Sequence, residues 1–238
     1  MTDGRQDYRR IYAIGDVHGR SDLLDLMIGL IDRDLAGIDA AECLTITVGD
    51  YVDRGPDTFG VIGRLVQNPF PTPYVALKGN HEDMMLGFLR DPVRGGDLWA
   101  INGAFPALAS YGVPFEPVRE GRYEETALAL LAAMPPEHAE FLASLRLSVS
   151  LPRFFFCHAG IRPGVPFELQ SEHDLLWIRE EFLNSTMDFG KRVIHGHTPV
   201  PEPEVRPNRI DIDTGAVFSN RLTCVVLEGG SERFLTTA

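Results

Sequence analysis

Short apolar runs that stop at a glycine and a polar residue set the rhythm of this chain. Ile11-Tyr12-Ala13-Ile14 stops at Gly15-Asp16, and Leu44-Thr45-Ile46-Thr47-Val48 stops at Gly49-Asp50. Tyr74-Val75-Ala76-Leu77 runs into Lys78-Gly79-Asn80-His81. Phe154-Phe155-Phe156 runs into Cys157-His158-Ala159-Gly160, and Val193-Ile194 into His195-Gly196-His197. Runs of this length, bounded by glycine and polar residues, predict buried strands. Between the first three, apolar residues recur at helical spacing. Leu23, Leu24, Met27, Ile28, Leu30 and Ile31 follow a Ser21 cap, and Val61, Ile62, Leu65 and Val66 follow a Thr58 cap. A third helix is expected from His81 to Leu89, with Met84, Met85, Phe88 and Leu89 turned inward. Strand alternating with helix predicts an α/β sheet, and ligands of such sheets gather beyond the strand ends.

The middle of the chain breaks this rhythm. Residues 91–151 hold no convincing strand but do hold helical stretches over Leu98–Tyr111, Glu124–Met134 and, after Pro135-Pro136, Glu137–Leu147. Because strand-and-loop motifs resume afterwards, 91–151 is expected to be a helical insertion within one domain, residues 1–238. Arg209–Asp213 and Leu222–Leu227 predict two further strands joined by a turn near Ser219-Asn220, and Gly95-Gly96 and Pro199–Pro207 predict loops.

Composition removes several function classes. At 238 residues, 44% hydrophobic and 24% charged, the chain can bury a core without a disulfide or a structural metal. A net charge of −12 argues against a nucleic-acid partner, since affinity for phosphate backbones comes largely from Lys and Arg. The longest apolar run, Ala127–Met134, falls well below the ~18 residues of a membrane span, and MTDGRQDYRR lacks the apolar core of a signal peptide. A cytoplasmic protein with no membrane partner is expected. Cys43, Cys157 and Cys224 form no CxxC pair and are expected to be small buried hydrophobes.

The polar residues at the strand ends carry the chemistry: Asp16, His18, Asp50, Asn80, His158 and His197. Six oxygen and imidazole donors are more than one ion needs. They suit two ions sharing a bridging carboxylate, with Asp50 as bridge, Asp16 and His18 on one ion, and Asn80, His158 and His197 on the other. Such a donor set favours Mn, Fe or Zn over Ca. Two ions about 3.5–4 Å apart activate a water and clamp an in-line displacement at phosphorus. Arg54, four residues after Asp50, offers a guanidinium fork for the phosphoryl group. His81, next to Asn80, can protonate the leaving oxygen, and Asp53 can hold its other ring nitrogen.

GDVHG (Gly15–Gly19), GDYVDRG (Gly49–Gly55), KGNHE (Lys78–Glu82), HAG (His158–Gly160) and HGHTP (His195–Pro199) occur in that order, followed by DTGAVF (Asp213–Phe218). The series resembles the calcineurin-like metallophosphoesterases, and more narrowly the phosphoprotein phosphatase family in its small bacterial and phage branch. The resemblance implies two mixed β-sheets packed as a sandwich flanked by helices, and the same six metal ligands. It also implies His81 and Asp53 as acid and orienting carboxylate, and Arg54 and Arg179 as phosphate holders. The expected activity is hydrolysis of a phosphomonoester by in-line attack of a hydroxide shared between two ions, Mn being favoured. The expected substrate is a phosphoserine or phosphothreonine protein or peptide, or else a small phosphoester. Diadenosine tetraphosphate hydrolysis ranks second, because such relatives tend to carry Ala where this chain has Asp53 and Asp where it has Glu82. A phosphodiesterase ranks third, and a non-catalytic metal-binding regulator is the competitor from another class. Of the remaining residues, His138 and His173 are expected to be solvated, His195 a strand-end neighbour, Trp99 buried against the sheet and Glu82 a support at most. Nothing in the insertion reads as a peptide groove or a nucleobase pocket.

Overall fold

The computed structural model describes residues 8–237. In chain order the elements are β1 (Arg10–Ile14), α1 (Ser21–Asp34), β2 (Cys43–Thr47), α2 (Thr58–Val66), β3 (Tyr74–Ala76) and α3 (Asn80–Arg90). A run of helices follows: α4 (Pro92–Ile101), α5 (Ala104–Ser110), α6 (Glu116–Arg119), α7 (Tyr123–Ala133) and α8 (Pro136–Ser144). Next come β4 (Ser148–Ser150), β5 (Phe154–Cys157), α9 (Glu172–Trp177), α10 (Glu180–Leu183) and β6 (Arg192–His195). The chain closes with β7 (Glu204–Val205), β8 (Arg209–Asp211), α11 (Ala216–Ser219), β9 (Thr223–Glu228) and β10 (Ser231–Thr236).

Two five-stranded mixed sheets result, in the orders β10-β9-β1-β2-β3 and β4-β5-β6-β8-β7. β1, β2 and β3 run parallel, as do β5, β6 and β8, so the motif-bearing ends of each set share one edge of their sheet. Period-two alternation assigns the faces. Ile11, Ala13, Leu44 and Ile46 meet Phe156, Ile194, Ile210 and Ile212 in a core between the sheets. Tyr12 and Ile14 pack outward under α1 and α2, against Leu24, Met27, Ile31, Val61 and Ile62. On the second sheet, Phe155, Cys157 and Val193 pack outward against Leu175 and Phe182. The expected two-sheet sandwich flanked by helices is therefore present, and all three cysteines are buried and unpaired. No helix among the described residues is long and apolar enough to cross a membrane.

Several local expectations fail for identifiable reasons. β4 lies inside the stretch read as strandless: Ser148–Ser150 gains its pairing from β5, a partner its own sequence does not reveal. Gly95-Gly96 lies within α4 rather than in a loop, because a Cβ at Gly95 would stand 2.8 Å from Phe88 Cα and one at Gly96 would collide with the Tyr123 ring. The helix over Leu98–Tyr111 breaks at Asn102-Gly103, where Gly103 adopts φ +109°. Ser21 and Thr58 each begin a helix without capping it. Ser21 Oγ donates to Asp57, Asp57 caps α2 by accepting from Gly60 N at 2.8 Å, and Thr58 Oγ1 accepts from Asp53 N at 3.2 Å. β7 and β10 were not foreseen.

Candidate dinuclear metal centre

Beyond the ends of the parallel strands, the loops converge on Asp50. Its Oδ2 lies 3.4 Å from His18 Nε2 and 4.0 Å from His81 Nε2, while its Oδ1 lies 3.4 Å from His158 Nε2. Two tight groups therefore share this carboxylate: His18, Asp50 and His81 on one side, and Asp50, His158 and His197 on the other. Asn80 joins the second, with Oδ1 at 2.9 Å from His158 Nε2 and 2.8 Å from His197 Nδ1, and those two nitrogens are 3.1 Å apart. Asp16 sits at the margin. Its carboxylate accepts from His197 N at 3.1 Å and borders Asp213, outside both tight groups.

The backbone is strained to deliver these side chains. Among the described residues, seven non-glycines have positive φ, and five of them are His18, Asp50, Asp53, Arg54 and His197. Left-handed backbone costs a non-glycine free energy and concentrates at functional sites. Glycines permit the crowding: Gly49 has φ +107°, and a Cβ there would lie 2.5 Å from Gly79 N. Glu82 fastens the turn. Its buried carboxylate accepts from the backbone N–H groups of Gly79, Asp50, Tyr51 and Val52 at 2.7–3.1 Å.

Burial shapes the protonation states. Desolvation drives His18 down to about 3 and His197 to about 2, so burial opposes the charged form of each. Burial would raise Asp50, but the surrounding histidines outweigh it and hold it below the usual carboxylate range. Burial, reinforced by Asp213 and Asp50, pushes Asp16 well up. His81 runs the other way: burial opposes its charge, yet Asp50 and Asp53 overcome that and raise it.

This donor set fits two metal ions. His18 Nδ1 and His158 Nδ1 lie 2.9 Å and 3.0 Å from the carbonyls of Val52 and Val48, so each donates N–H there and turns Nε2 toward Asp50. A backbone carbonyl that fixes the ring tautomer is the usual support of a metal-binding histidine. Without cations, Asp16, Asp50 and Asp213 would crowd buried negative charge into one spot, which is costly.

A model of the family described as calcineurin-like phosphoesterase matches residues 9–219. The chain belongs to the calcineurin-like phosphoesterase family. It is 28% identical over 225 residues to a protein of Salmonella typhimurium named serine/threonine-protein phosphatase 1, covering 92% of each chain. It is 26% identical over 235 residues to an Oceanobacillus iheyensis protein named bis(5'-nucleosyl)-tetraphosphatase, covering 90% of this chain and 87% of the other. A crystal structure titled as a cold-active protein-tyrosine phosphatase of a Shewanella species superposes with a TM-score of 0.63 at 18% identity. That superposition covers 100% of this chain and 83% of the other, and it supports the fold alone.

The phosphoesterase places its remaining candidates at the edge of the two groups. His81 Nδ1 lies 2.7 Å from Asp53 Oδ2, both fully buried, and His81 Nε2 is buried without a partner. Arg54 Nη1 donates to His18 Nε2 at 2.9 Å. Exposed Arg179 donates to Thr198 Oγ1 at 3.0 Å, next to His197, while Glu181 pairs with Arg162 instead. His195 is a buried neighbour whose Nδ1 lies 3.1 Å from Gly196 O.

One sequence expectation is corrected here. His138 is buried at 3% exposure rather than solvated, its Nδ1 2.9 Å from Tyr111 Oη. His173 is exposed as expected, on α9. Trp99 is buried as expected, in one core with Tyr12 and Ile14 of the first sheet; its ring lies tilted against Phe88 and its indole N–H donates to Asp53. Asp213 was missed as a site residue, although it stands at the strand end after β8 like the other acids, inside the quoted DTGAVF motif.

Proposed function

We propose that this phosphoesterase is a serine/threonine protein phosphatase that works with two divalent ions. Asp16, His18 and Asp50 would hold one, and Asp50, Asn80, His158 and His197 the other, with Mn favoured. When bound, such ions supply Lewis acidity and a water that ionises near neutrality. Everything else falls to the chain. Arg54, at the His18 end, and Arg179, at the His197 end, bind and orient the phosphoryl oxygens. His81 holds its proton on Nε2, the ring fixed by Asp53 at Nδ1, and gives it to the departing oxygen.

The His81–Asp53 pair carries this reading. An alkoxide such as that of serine or threonine is a poor leaving group and gains most from a positioned acid. A dinucleoside polyphosphate expels a nucleotide phosphate, which leaves as a stabilised anion and needs the proton less. The Salmonella relative's name supports the first reading; the Oceanobacillus relative's name keeps the second in play. The test is His81→Ala with bound metal measured alongside turnover. Release of phosphate from a phosphoserine peptide should fall roughly 10²-fold or more with two ions still bound. Unchanged turnover would remove His81 from the reaction and the reading with it.

A further inference from the structure

Trp99 belongs to α4, 46 positions from Asp53, and nothing in the motif series includes it. Yet its indole N–H points at the Asp53 carboxylate, 3.0 Å from Oδ1 and 3.0 Å from Oδ2. Both residues are fully buried, so the bond lies away from the solvent surface. Asp53 Oδ2 thus receives two donors, Trp99 Nε1 and His81 Nδ1, and these fix the plane of the carboxylate. Packing alone would ask only for the ring. Phe88, its centroid 4.7 Å from the Trp99 ring, would be satisfied by any aromatic there.

The turn that follows this helix reaches the next residue as well. Arg54 N donates to Gly103 O at 3.0 Å, just beyond the C-terminal end of α4. Asp53 and Arg54 have φ of +68° and +63°, so two consecutive non-glycine residues are held in left-handed backbone. Such a turn persists only where its surroundings over-determine it. Trp99 of α4 and Gly103, two residues past its end, supply two of those restraints, one to each residue.

We infer that Trp99 is a positioning residue for the reaction: its indole N–H fixes the Asp53 carboxylate, and Asp53 in turn fixes the His81 ring. The inference rests on the reading of His81 as the leaving-group acid. It makes α4, within the helical insertion, part of the catalytic apparatus. Trp99 touches no reacting atom, so its loss should matter only where His81 matters.

Leaving-group dependence separates positioning from packing. Serine alkoxide needs the proton, whereas p-nitrophenolate leaves readily without one. Trp99→Phe keeps a ring against Phe88 and deletes the donor. It should lower kcat on a phosphoserine peptide roughly tenfold to hundredfold and on p-nitrophenyl phosphate less than about threefold. KM and a content of two Mn ions per chain should hold. Site-specific 3-benzothienylalanine at position 99 preserves the bicyclic shape without the N–H and should give the same selectivity if Trp99→Phe fails to fold. Equal losses on both substrates overturn the inference. His81→Ala run beside them distinguishes the two failures. If His81→Ala is selective and the Trp99 variants are not, only the inference falls; if His81→Ala is itself unselective, both fall.

Discussion

Asp50 faces imidazoles from both sides, and no other residue belongs to both tight groups. Asp50→Asn keeps the shape and removes the charge that would bridge two ions. Bound metal measured by elemental analysis should drop below two per chain, with turnover down by more than about hundredfold, beyond the usual cost of losing a mere supporting group. Glu82 acts by geometry instead. In Glu82→Gln an NH2 group faces backbone N–H donors, which should cost about 1–3 kcal/mol in urea unfolding. Asp50 was legible because it stands where an apolar strand stops, at a glycine, and Glu82 because it closes the KGNHE motif that follows the next strand. Trp99 and His138 were not. Both sit within helices rather than at the end of an apolar strand, and only the third dimension brings Trp99 to Asp53 and His138 to Tyr111.

At the level of elements, the β-α alternation before residue 91 was readable because each strand is a continuous apolar run and each helix has an apolar stripe. Leu24, on that stripe of α1, is fully buried beneath the first sheet. Leu24→Ala should therefore cost about 2–5 kcal/mol in chemical denaturation while leaving kcat per folded molecule unchanged. Elements defined by their partners were less readable. β4 and β7 are two- or three-residue strands that exist through pairing, and β10 alternates half-buried and exposed residues along a sheet edge. Gly95-Gly96 misled for a related reason: glycine here serves the close approach of α4 to α3 and α7, not a turn.

Across the whole molecule, Asp34 closes the far side of the first sheet. Arg10 Nη1 and Tyr12 Oη donate to its Oδ2 at 2.9 Å and 2.7 Å, and Arg233 Nη2 from β10 adds a third bond at 2.6 Å. Burial alone would raise Asp34, but the bonds from Arg233 and Tyr12 hold it below the usual carboxylate range. A carboxylate depressed in the folded state adds stability that is complete above its unfolded pKa, about 3.9, and is lost as pH falls through the folded value. Asp34→Asn should thus be less stable than the parent at neutral pH, and the gap should narrow below about pH 4; a gap constant with pH would contradict this. Substrate choice is decided by a direct competition. Protein stripped with chelator and reloaded with Mn is given a phosphoserine peptide and diadenosine tetraphosphate in one tube, with products separated by chromatography. A serine/threonine phosphatase should give dephosphorylated peptide and intact dinucleotide, with no turnover before Mn is restored; cleaved dinucleotide beside intact phosphopeptide would overturn that assignment.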